Sequence, residues 1–501
     1  MASASVADRE SAPLLAGRRE ADETLTDSIG AASFNADGDR ENPLEWTPSF
    51  KRFIVFLLSM SAFTVTFSCV SVVPVARRIS RDLGGSPGDT SSEVLLVTIW
   101  ELGEAAGPLL IGSLSELFGR APVLNTANVV FVLALALGAL APTLRFLTLS
   151  RALTGAAVAI NVLGPAIVGD IFVPEQRGTA MSMILFAPLL GSSIGPAFSG
   201  AAIETLSWRV IVLVSVALAA VCYSISFVFF RETYTPAILR RRAAKLLATN
   251  PTSDTDKPAS RHTYESLWLS IARPVTVLVS SGVLMAISAY TAVLFSHFYV
   301  AAITMPRILE DIYHLSPTAT GFAFFSNALG SLIGIMVCKS WLDAIYVKLR
   351  DNNDGVGLPE YRLPIAIFGA ITIVPGVALY GWCAEYNWNI YVFLIACVWV
   401  RMSLIMSLTP LTAYVVDACG LYSASALTAV IVIRCLAGAF LPLAIDKLVN
   451  ALGYGWGFTA YALATLAAIS VPVALFYKGE GWRRKSEYTR VEEHVEAEST
   501  I

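Results

Sequence analysis

Five charged side chains lie in stretches of the sequence that are otherwise apolar. Glu101 and Glu104 are three residues apart, so a helix places both on one face. Arg151, Arg401 and Arg434 have similar surroundings farther along the chain. A charge at the middle of a bilayer costs at least about 2.5 kcal/mol, and such residues usually mark ion or proton pathways. We therefore expect Glu101 or Glu104 to take up and release a proton, with Arg151 modulating its affinity.

Other roles are open to these and to neighbouring polar residues. A structural ion pair, for example between Glu101 and Arg151, is the alternative to titration. Hydrogen bonding between helices is the alternative for the asparagines, and Arg401 would suit an anionic solute. His297 is expected near the outer end of a span, hydrogen-bonded and without a role in function. The candidates for lining a binding cavity are Asn161, Asn327, Arg401 and Arg434.

The sequence lacks the patterns of most enzymes. Its seven cysteines show neither metal-ligand spacing nor a disulfide framework. It contains no Gly-x-x-x-x-Gly-Lys-Ser/Thr phosphate loop, no Ser-His-Asp arrangement and no histidine cluster with metal spacing. The net charge of −3 suggests no polyanionic partner. We therefore expect no enzymatic activity, no metal, no cofactor and no nucleic-acid partner.

The elements that must hold the charged residues are transmembrane helices. Only 15% of the 501 residues are charged, against about 25% in soluble proteins, and the mean hydropathy is +0.64. Apolar runs, mostly about 20 residues or longer and so able to cross a hydrocarbon core of ~30 Å, recur along nearly the whole chain. They predict twelve spans at about 53–75, 93–115, 123–142, 146–169, 178–203, 209–230, 274–300, 318–338, 363–384, 388–412, 423–446 and 455–477.

The longest break in hydrophobicity divides these spans into two sets of six, and it contains three consecutive arginines, 240–242. Most Lys and Arg residues fall on the side that holds both termini, which indicates that this side is cytosolic. Arg77, Arg78 and Arg81, in the first outer loop, run against this bias. The predicted fold class is an all-α polytopic membrane protein of two six-helix bundles. The predicted divisions are a disordered cytosolic amino tail (1–50), an amino-terminal bundle (51–230), a cytosolic central loop (231–273), a carboxy-terminal bundle (274–478) and a cytosolic tail (479–501).

A motif at the end of the second predicted span, here called the latch motif, reads Gly112-Ser-Leu-Ser-Glu116-Leu-Phe-Gly119-Arg120-Ala-Pro. Glu116 and Arg120 are four residues apart and can pair across the end of a helix. Gly112 permits close approach of another helix.

The fifth predicted span carries a second motif of small residues, Gly191-Ser-Ser-Ile-Gly195-Pro196-Ala-Phe-Ser-Gly200. Gly191 and Gly195 share one helical face, as in many pairs of small residues that serve only helix packing. Pro196 removes a backbone donor and favours a bend. The alternative to packing alone is a bent helix that moves at the interface of two halves.

These segments resemble the motifs of the major facilitator superfamily. In that family the latch motif connects spans two and three and holds the two halves together on the cytosolic side, and Glu116 stands where many members have Asp. Arg151-Ala-Leu-Thr-Gly155 resembles a fourth-span element associated with proton coupling. The fifth-span motif resembles an antiporter signature, with Ser199 in place of a usual Gly.

Three further segments resemble the fungal twelve-span drug:proton antiporters: Phe230–Pro236, Pro359–Pro364, and residues 416–427. The resemblance covers about residues 42–485. It implies secondary active export of a small organic molecule, drug-like or a secondary metabolite, in exchange for protons. The first span, where several bacterial relatives keep an essential acid, has none here, which leaves Glu101 or Glu104 as the proton carrier.

Other functions on the same fold stay open: a polyamine or organic-acid transporter, a nutrient symporter, or a receptor that no longer transports. The expected partners are a small-molecule substrate, protons and the lipid bilayer, and the expected state is a monomer. Plasma membrane is the expected location. The sequence around Leu14 and Leu15 resembles an acidic dileucine sorting signal, so the vacuolar membrane is the alternative.

Overall fold

The computed structural model describes residues 39, 41–85, 90–249, 261–353, 355, 357–420, 423–486 and 488–489. All regular elements among them are helices. Before the first span lies a short 3-10 helix, Pro43–Glu45, and before the ninth lies another, Pro359–Arg362. The remaining helices are Pro48–Val70, Ala76–Asp82, Thr90–Phe118, Arg120–Ala139, Leu144–Ala156, Ile160–Ile171, Pro174–Ala202, Trp208–Phe229, Thr235–Thr249, Arg261–Ser280, Gly282–Asp311, Pro317–Ala323, Phe325–Asp351, Leu363–Glu385, Ile390–Cys419, Ser423–Ala468 and Ser470–Arg483.

Eleven helical stretches among the described residues are long and apolar enough to cross a membrane. The last of them, Ser425–Arg483, has 59 residues. A straight helix of that length would measure about 90 Å, three times the thickness of a hydrocarbon core. Gly453 interrupts it with φ 81° and ψ 172°, so the stretch forms two spans. The protein therefore has twelve spans in its described part, which confirms the predicted fold class.

Small residues set the packing inside each half. Spans 2 and 4 approach so closely that a Cβ atom on Gly155 would collide with the backbone carbonyl of Trp100. Spans 1 and 5 are equally close, because a Cβ on Gly191 would lie 2.7 Å from the carbonyl oxygen of Phe63. Lipid provides little hydrophobic drive for helix association, so close backbone contact at small residues supplies much of the stability.

The two halves meet along two seams. Span 2 packs against span 11, and span 5 packs against span 8. The helix Arg261–Ser280, which precedes span 7, also packs against spans 2 and 11. The charged residues of the sequence analysis therefore lie on or beside the helices that join the halves.

The seventh span differs from its prediction at 274–300. The apolar run from residue 274 belongs to the preceding helix, and the chain breaks at Ser281, whose side chain accepts a hydrogen bond from the N–H of Leu284 as an N-cap. The span itself is Gly282–Asp311. His297 consequently lies at mid-span and is buried, so the expectation that it lies near the outer end was wrong.

The predicted tails and central loop fall partly outside the described residues, namely at 1–38, 250–260 and 490–501, and the dileucine signal falls there too. In the described part of the central loop, Thr235–Thr249 is a helix. In the carboxy tail, Arg483 makes two hydrogen bonds, of 2.7 and 2.9 Å, to the carboxylate of Glu360. This buried ion pair fixes the end of span 12 to the start of span 9.

Candidate functional site

Polar contacts between the halves are unevenly distributed along the helix axes. We call the end that holds Pro48, Gly119 and Arg483 the termini end, and the end that holds Arg77 and Asp311 the distal end. Among the described residues, hydrogen bonds and ion pairs between the halves occur at mid-span and at the distal end. The structure is therefore held closed at its distal end.

Glu101 is the carboxylate that links the halves at mid-span. Its Oε1 accepts a hydrogen bond of 2.5 Å from the hydroxyl of Tyr299 on span 7. Its Oε2 is buried and has no hydrogen-bond partner among the described residues. Arg434 of span 11 is close enough to act electrostatically on Glu101. The second oxygen of this carboxylate can accept a proton. Because Tyr299 and Arg434 of the opposite half lie beside Glu101, loss of that proton changes the interaction between the halves.

Glu104 lies one turn away and is held within its own half. Its Oε1 accepts a 2.6 Å hydrogen bond from Nδ2 of Asn161, and its Oε2 accepts a 3.2 Å hydrogen bond from the indole N–H of Trp100. Asn161 thus orients Glu104, and it is not among the residues that line the main cavity. Both oxygens of Glu104 are occupied, in contrast to those of Glu101.

Arg151 does not pair with either acid. Its guanidinium donates to the backbone carbonyls of Leu96, Ser68 and Cys69, at 3.1, 3.4 and 2.9 Å. It also lies 5.1 Å from the ring centroid of Trp100. The suggested Glu101–Arg151 ion pair is absent from the described ion pairs, and Arg151 instead ties spans 1, 2 and 4 together. The cation beside Glu101 is Arg434, from the other half.

A cavity of about 670 Å³ lies between the halves near mid-span. Val70 and Ser192 line it from the amino-terminal half, and the carboxy-terminal half supplies most of the wall, including His297, Asn327 and Arg401. Its lining is mostly apolar with a few polar groups, as is typical of sites for small organic ligands. Of the four cavity candidates from the sequence, Asn327 and Arg401 line this cavity, whereas Asn161 and Arg434 do not.

His297 is built into the cavity wall by three contacts. Its Nδ1 is 3.0 Å from the hydroxyl of Tyr461, and its Nε2 is 3.2 Å from the hydroxyl of Thr465. The imidazole also stacks on the ring of Tyr461 at 4.2 Å between centroids. These contacts join spans 7 and 12 next to the cavity. A single histidine in the sequence gives no indication of such partners.

Five charged residues and a carbonyl form the distal ion-pair network. Arg307 of span 7 pairs with Glu93 at 3.1 Å and with Asp446 at 2.5 Å, and it donates to the backbone carbonyl of Thr90 at 3.3 Å. Nearby, Arg77 pairs with Asp311 at 2.7 Å. Arg77 thus has a structural reason to depart from the basic-residue bias, because its charge is neutralised across the interface.

The fifth-span motif has two different faces. Gly191 and Gly195 contact span 1 of the same half, where a Cβ on Gly195 would lie 3.0 Å from the carbonyl oxygen of Phe67. Pro196 and Gly200 face span 8 of the other half, where a Cβ on Gly200 would collide with the carbonyl of Pro317. Next to this seam, the hydroxyl and backbone N–H of Thr318 hydrogen-bond to Glu204 and lower the pKa of its carboxyl.

The latch motif forms an ionic cluster inside the amino-terminal half. Arg120 pairs with Asp170 at 3.4 Å, and its backbone N–H donates to Glu232 at 2.8 Å. Glu116 is exposed and makes no ion pair among the described residues, so the suggested Glu116–Arg120 pair is not formed. Gly119 has φ 99°, and a side chain there would collide with the carboxylate of Glu232.

Gly112, in the same motif, makes no close approach. A Cβ at this position would meet Val162 of span 4 at 3.5 Å, an ordinary van der Waals distance. The close helix contact that the motif suggested occurs one to two turns earlier, where a Cβ on Gly107 would lie 2.6 Å from the carbonyl oxygen of Ala156.

Sequence reasoning missed most partners of the candidate residues. Tyr299 was visible only as one aromatic residue among many in apolar spans. Arg307, Asp446 and Asp170 lie near span ends, where charged residues are ordinary. Glu232 lies in the Phe230–Pro236 segment, whose resemblance to fungal proteins was the one available signal.

Comparison with known proteins supports the fold and points to a class of function. A sequence profile for the Major Facilitator Superfamily matches residues 54–442. The chain is 31% identical over 478 residues to the MFS transporter cpaT of Aspergillus oryzae, covering 94% of this chain and 95% of that protein. It is 32% identical over 452 residues to the efflux pump radE of Floropilus chiversii, covering 89% and 83%.

Among solved structures, the partially occluded inward-open form of the xylose transporter XylE from E. coli is similar, with a TM-score of 0.63. The similarity covers 85% of this chain and 98% of that chain at 14% sequence identity. At this identity the likeness concerns the arrangement of helices alone.

Proposed function

The chain belongs to the major facilitator superfamily and is a multi-pass membrane transporter of a small molecule, and from this premise we propose that it exports a small organic compound in exchange for protons. Two of the relatives are named as a transporter and an efflux pump, which supports export over uptake. The fifth-span motif, which resembles an antiporter signature and lies at the seam with span 8, also favours exchange.

The contact between Glu101 and Tyr299 is the observation that carries this proposal. It joins a buried acid of one half to a donor of the other half at mid-span, where transporters of this fold place coupling sites. In the conformation described, Glu101 has the Tyr299 hydroxyl and the charge of Arg434 beside it. When the halves separate at the distal end, Glu101 loses Tyr299 and takes up a proton in its place.

We propose that the termini end faces the cytosol, because most Lys and Arg residues lie there. The conformation closed at the distal end then faces inward. In this state Glu101 releases its proton to the cytosol and the cavity accepts substrate. In the opposite state substrate leaves and Glu101 is protonated from outside, which couples export to inward proton flow.

Glu104, Asn161 and Arg151 have supporting roles in this scheme. Glu104 lies one turn from Glu101, where Asn161 and Trp100 hold its carboxylate in place. Arg151 holds spans 1, 2 and 4 around them and acts through position instead of through a direct ion pair. We further propose that the protein works as a monomer in the plasma membrane. The alternative location is the vacuolar membrane, which a fluorescent fusion with Leu14 and Leu15 replaced would reveal.

The test begins with the substrate. Metabolites inside and outside cells are compared with and without the gene, and the exported compound is then assayed in proteoliposomes under an imposed pH gradient. We expect Glu101→Gln to abolish accumulation against the gradient while the compound still equilibrates. Glu480→Gln is the matched control, since Glu480 is an exposed acid near the end of span 12. Undiminished accumulation by the Glu101→Gln, Glu104→Gln double variant would show that neither acid carries the proton.

A further inference from the structure

Arg401 is a cation in the wall of the central cavity without a carboxylate partner among the described residues. Its Nε donates to the hydroxyl of Ser331 at 2.8 Å. Its two terminal nitrogens make no hydrogen bond to the described residues, and Arg401 lines the cavity. A guanidinium at mid-membrane depth is costly unless something neutralises it. The fork of Arg401 is therefore available to a molecule in the cavity.

The guanidinium of Arg401 packs against a pair of stacked aromatic rings. Its guanidinium lies 4.3 Å from the ring centroid of Phe298, and Phe298 stacks on Phe295 at 6.0 Å and 19°. The guanidinium of Arg434 lies 4.2 Å from Phe295 on this stack. Cation–π contacts stabilise each cation in part and add no negative charge.

The acids near the cavity do not compensate Arg401. Glu104 is occupied by Asn161 and Trp100, and Glu101 lies beside Arg434 and Tyr299. Three arginines, Arg151, Arg401 and Arg434, lie at mid-span in the described part of the chain, against two acids. With both acids ionised, one positive charge therefore has no negative charge to balance it. Arg401 therefore adds a positive charge without a carboxylate partner to the wall of the cavity.

The rest of the cavity wall is apolar and aromatic, with Phe324, Tyr380, Phe458 and Tyr461 among the lining residues. Aromatic faces favour planar ring systems through stacking. The site therefore combines one planar hydrogen-bonding fork with broad flat apolar walls.

We propose that the substrate is an organic anion with a planar aromatic body, and that the terminal nitrogens of Arg401 bind its carboxylate through two parallel hydrogen bonds. The inference rests on the proposed function only in that the cavity binds the transported molecule. It does not depend on proton coupling or on the direction of transport.

The test uses purified full-length protein in detergent and three ring skeletons, naphthalene, biphenyl and anthraquinone. Each is presented as the carboxylate, the carboxamide and the methylammonium derivative, and dissociation constants are measured by ligand-dependent thermal shift. We expect the carboxylate of at least one skeleton to bind about tenfold or more tightly than its amide, with the ammonium form weakest.

Substitution of Arg401 separates recognition from support of the fold. Arg401→Gln should weaken carboxylate binding about tenfold or more and change amide binding less than about threefold. Arg401→Lys should retain part of the preference, because it keeps the charge and loses the fork. Arg209→Gln is the matched control, since Arg209 makes a similar cation–π contact, 4.4 Å from the ring centroid of Trp208, away from the cavity.

Three results would overturn the proposal. The first is amide or ammonium binding as tight as carboxylate binding in the parent protein. The second is an equal loss of all three forms in Arg401→Gln, which would assign Arg401 to the shape of the cavity. The third is absence of binding by every carboxylate up to its solubility limit. Gradient-driven export that depends on Glu101 would stand in each case, so the two proposals fail separately.

Discussion

Removal of Arg307 should release the distal ion-pair network and shift the protein toward the opposite conformation. Arg307 of span 7 bonds to Glu93 of the other half at 3.1 Å and to Asp446 of its own half at 2.5 Å. The three side chains are 11%, 16% and 7% exposed, so solvent screens these pairs only in part. In Arg307→Gln the positive charge that bridges two carboxylates is lost, and the interface between the halves is weakened.

The size of the shift follows from the bonds that are lost. A hydrogen bond to a charged group contributes about 1.5–3 kcal/mol, and hydration of the freed groups in the opened state offsets part of this. The bond to Glu93 crosses between the halves, and the bond to Asp446 orients Arg307 for it. We take a net loss of about 2–3 kcal/mol, which changes the ratio of conformations about 30- to 140-fold.

The distance between the halves at the distal end measures this shift directly. Leu206, after span 5, and Tyr386, after span 9, are exposed and lie in opposite halves. Cysteines at these positions accept spin labels, whereas the seven native cysteines are all buried. We expect electron–electron double resonance to show a short distance in the parent protein and a longer one in Arg307→Gln.

The control is Arg81→Gln, because Arg81 is an exposed arginine at the same end and makes no ion pair among the described residues. It should leave the distances unchanged. The same short distance in Arg307→Gln and in the parent, with both proteins folded, would refute the claim that this network holds the distal end closed.

Three further predictions concern the termini end. Glu360→Gln should lower the free energy of unfolding by about 3–5 kcal/mol because it leaves buried Arg483 without its counter-charge, as thermal unfolding in detergent would show. Gly119→Ala should cost about 1–3 kcal/mol, because φ 99° and ψ 161° lie in a region that is nearly restricted to glycine, and more from the clash with Glu232; an unchanged unfolding midpoint would contradict this. Glu116→Ala should reduce transport while the protein still reaches the membrane, because Glu116, exposed here, is proposed to act in the opposite conformation; unaltered transport kinetics of purified protein would count against it.

The sequence predicts those features of the fold that depend on local composition. Apolar runs separate the spans, and even the turn at Gly453 lies in the predicted gap between the last two spans. The start of span 7 could not be found in this way, because the helix Arg261–Ser280 ends in apolar residues that continue into the span. Only the N-cap at Ser281 marks the boundary, and a single serine is too common to be decisive.

The partners of each charged residue were harder to predict, because they come from distant parts of the chain. Glu101 and Tyr299 are 198 residues apart, and Arg307 and Glu93 are 214 apart. No periodicity relates such positions, so a sequence identifies a costly charge in the membrane but not the group that stabilises it. Arg151 is an example. It donates hydrogen bonds to backbone carbonyls instead of the expected carboxylate, and every residue has a carbonyl, so the sequence cannot indicate which ones.

The different fates of the three intramembrane arginines explain why the structure separates coupling from recognition. Arg151 is satisfied by carbonyls of its own half and holds helices together. Arg434 lies beside Glu101, so its effect depends on the protonation of that acid and on the position of the opposite half. Arg401 has Ser331 and the ring of Phe298 as neighbours, and it lines the cavity. Glu101 lies beside Arg434, whereas Arg401 has no carboxylate partner among the described residues. A proton can therefore bind to Glu101, and an anion to Arg401, without either one breaking a contact of the other residue. Exchange between them must then come from the movement of the halves, since Tyr299 and Arg434 both belong to the half opposite Glu101.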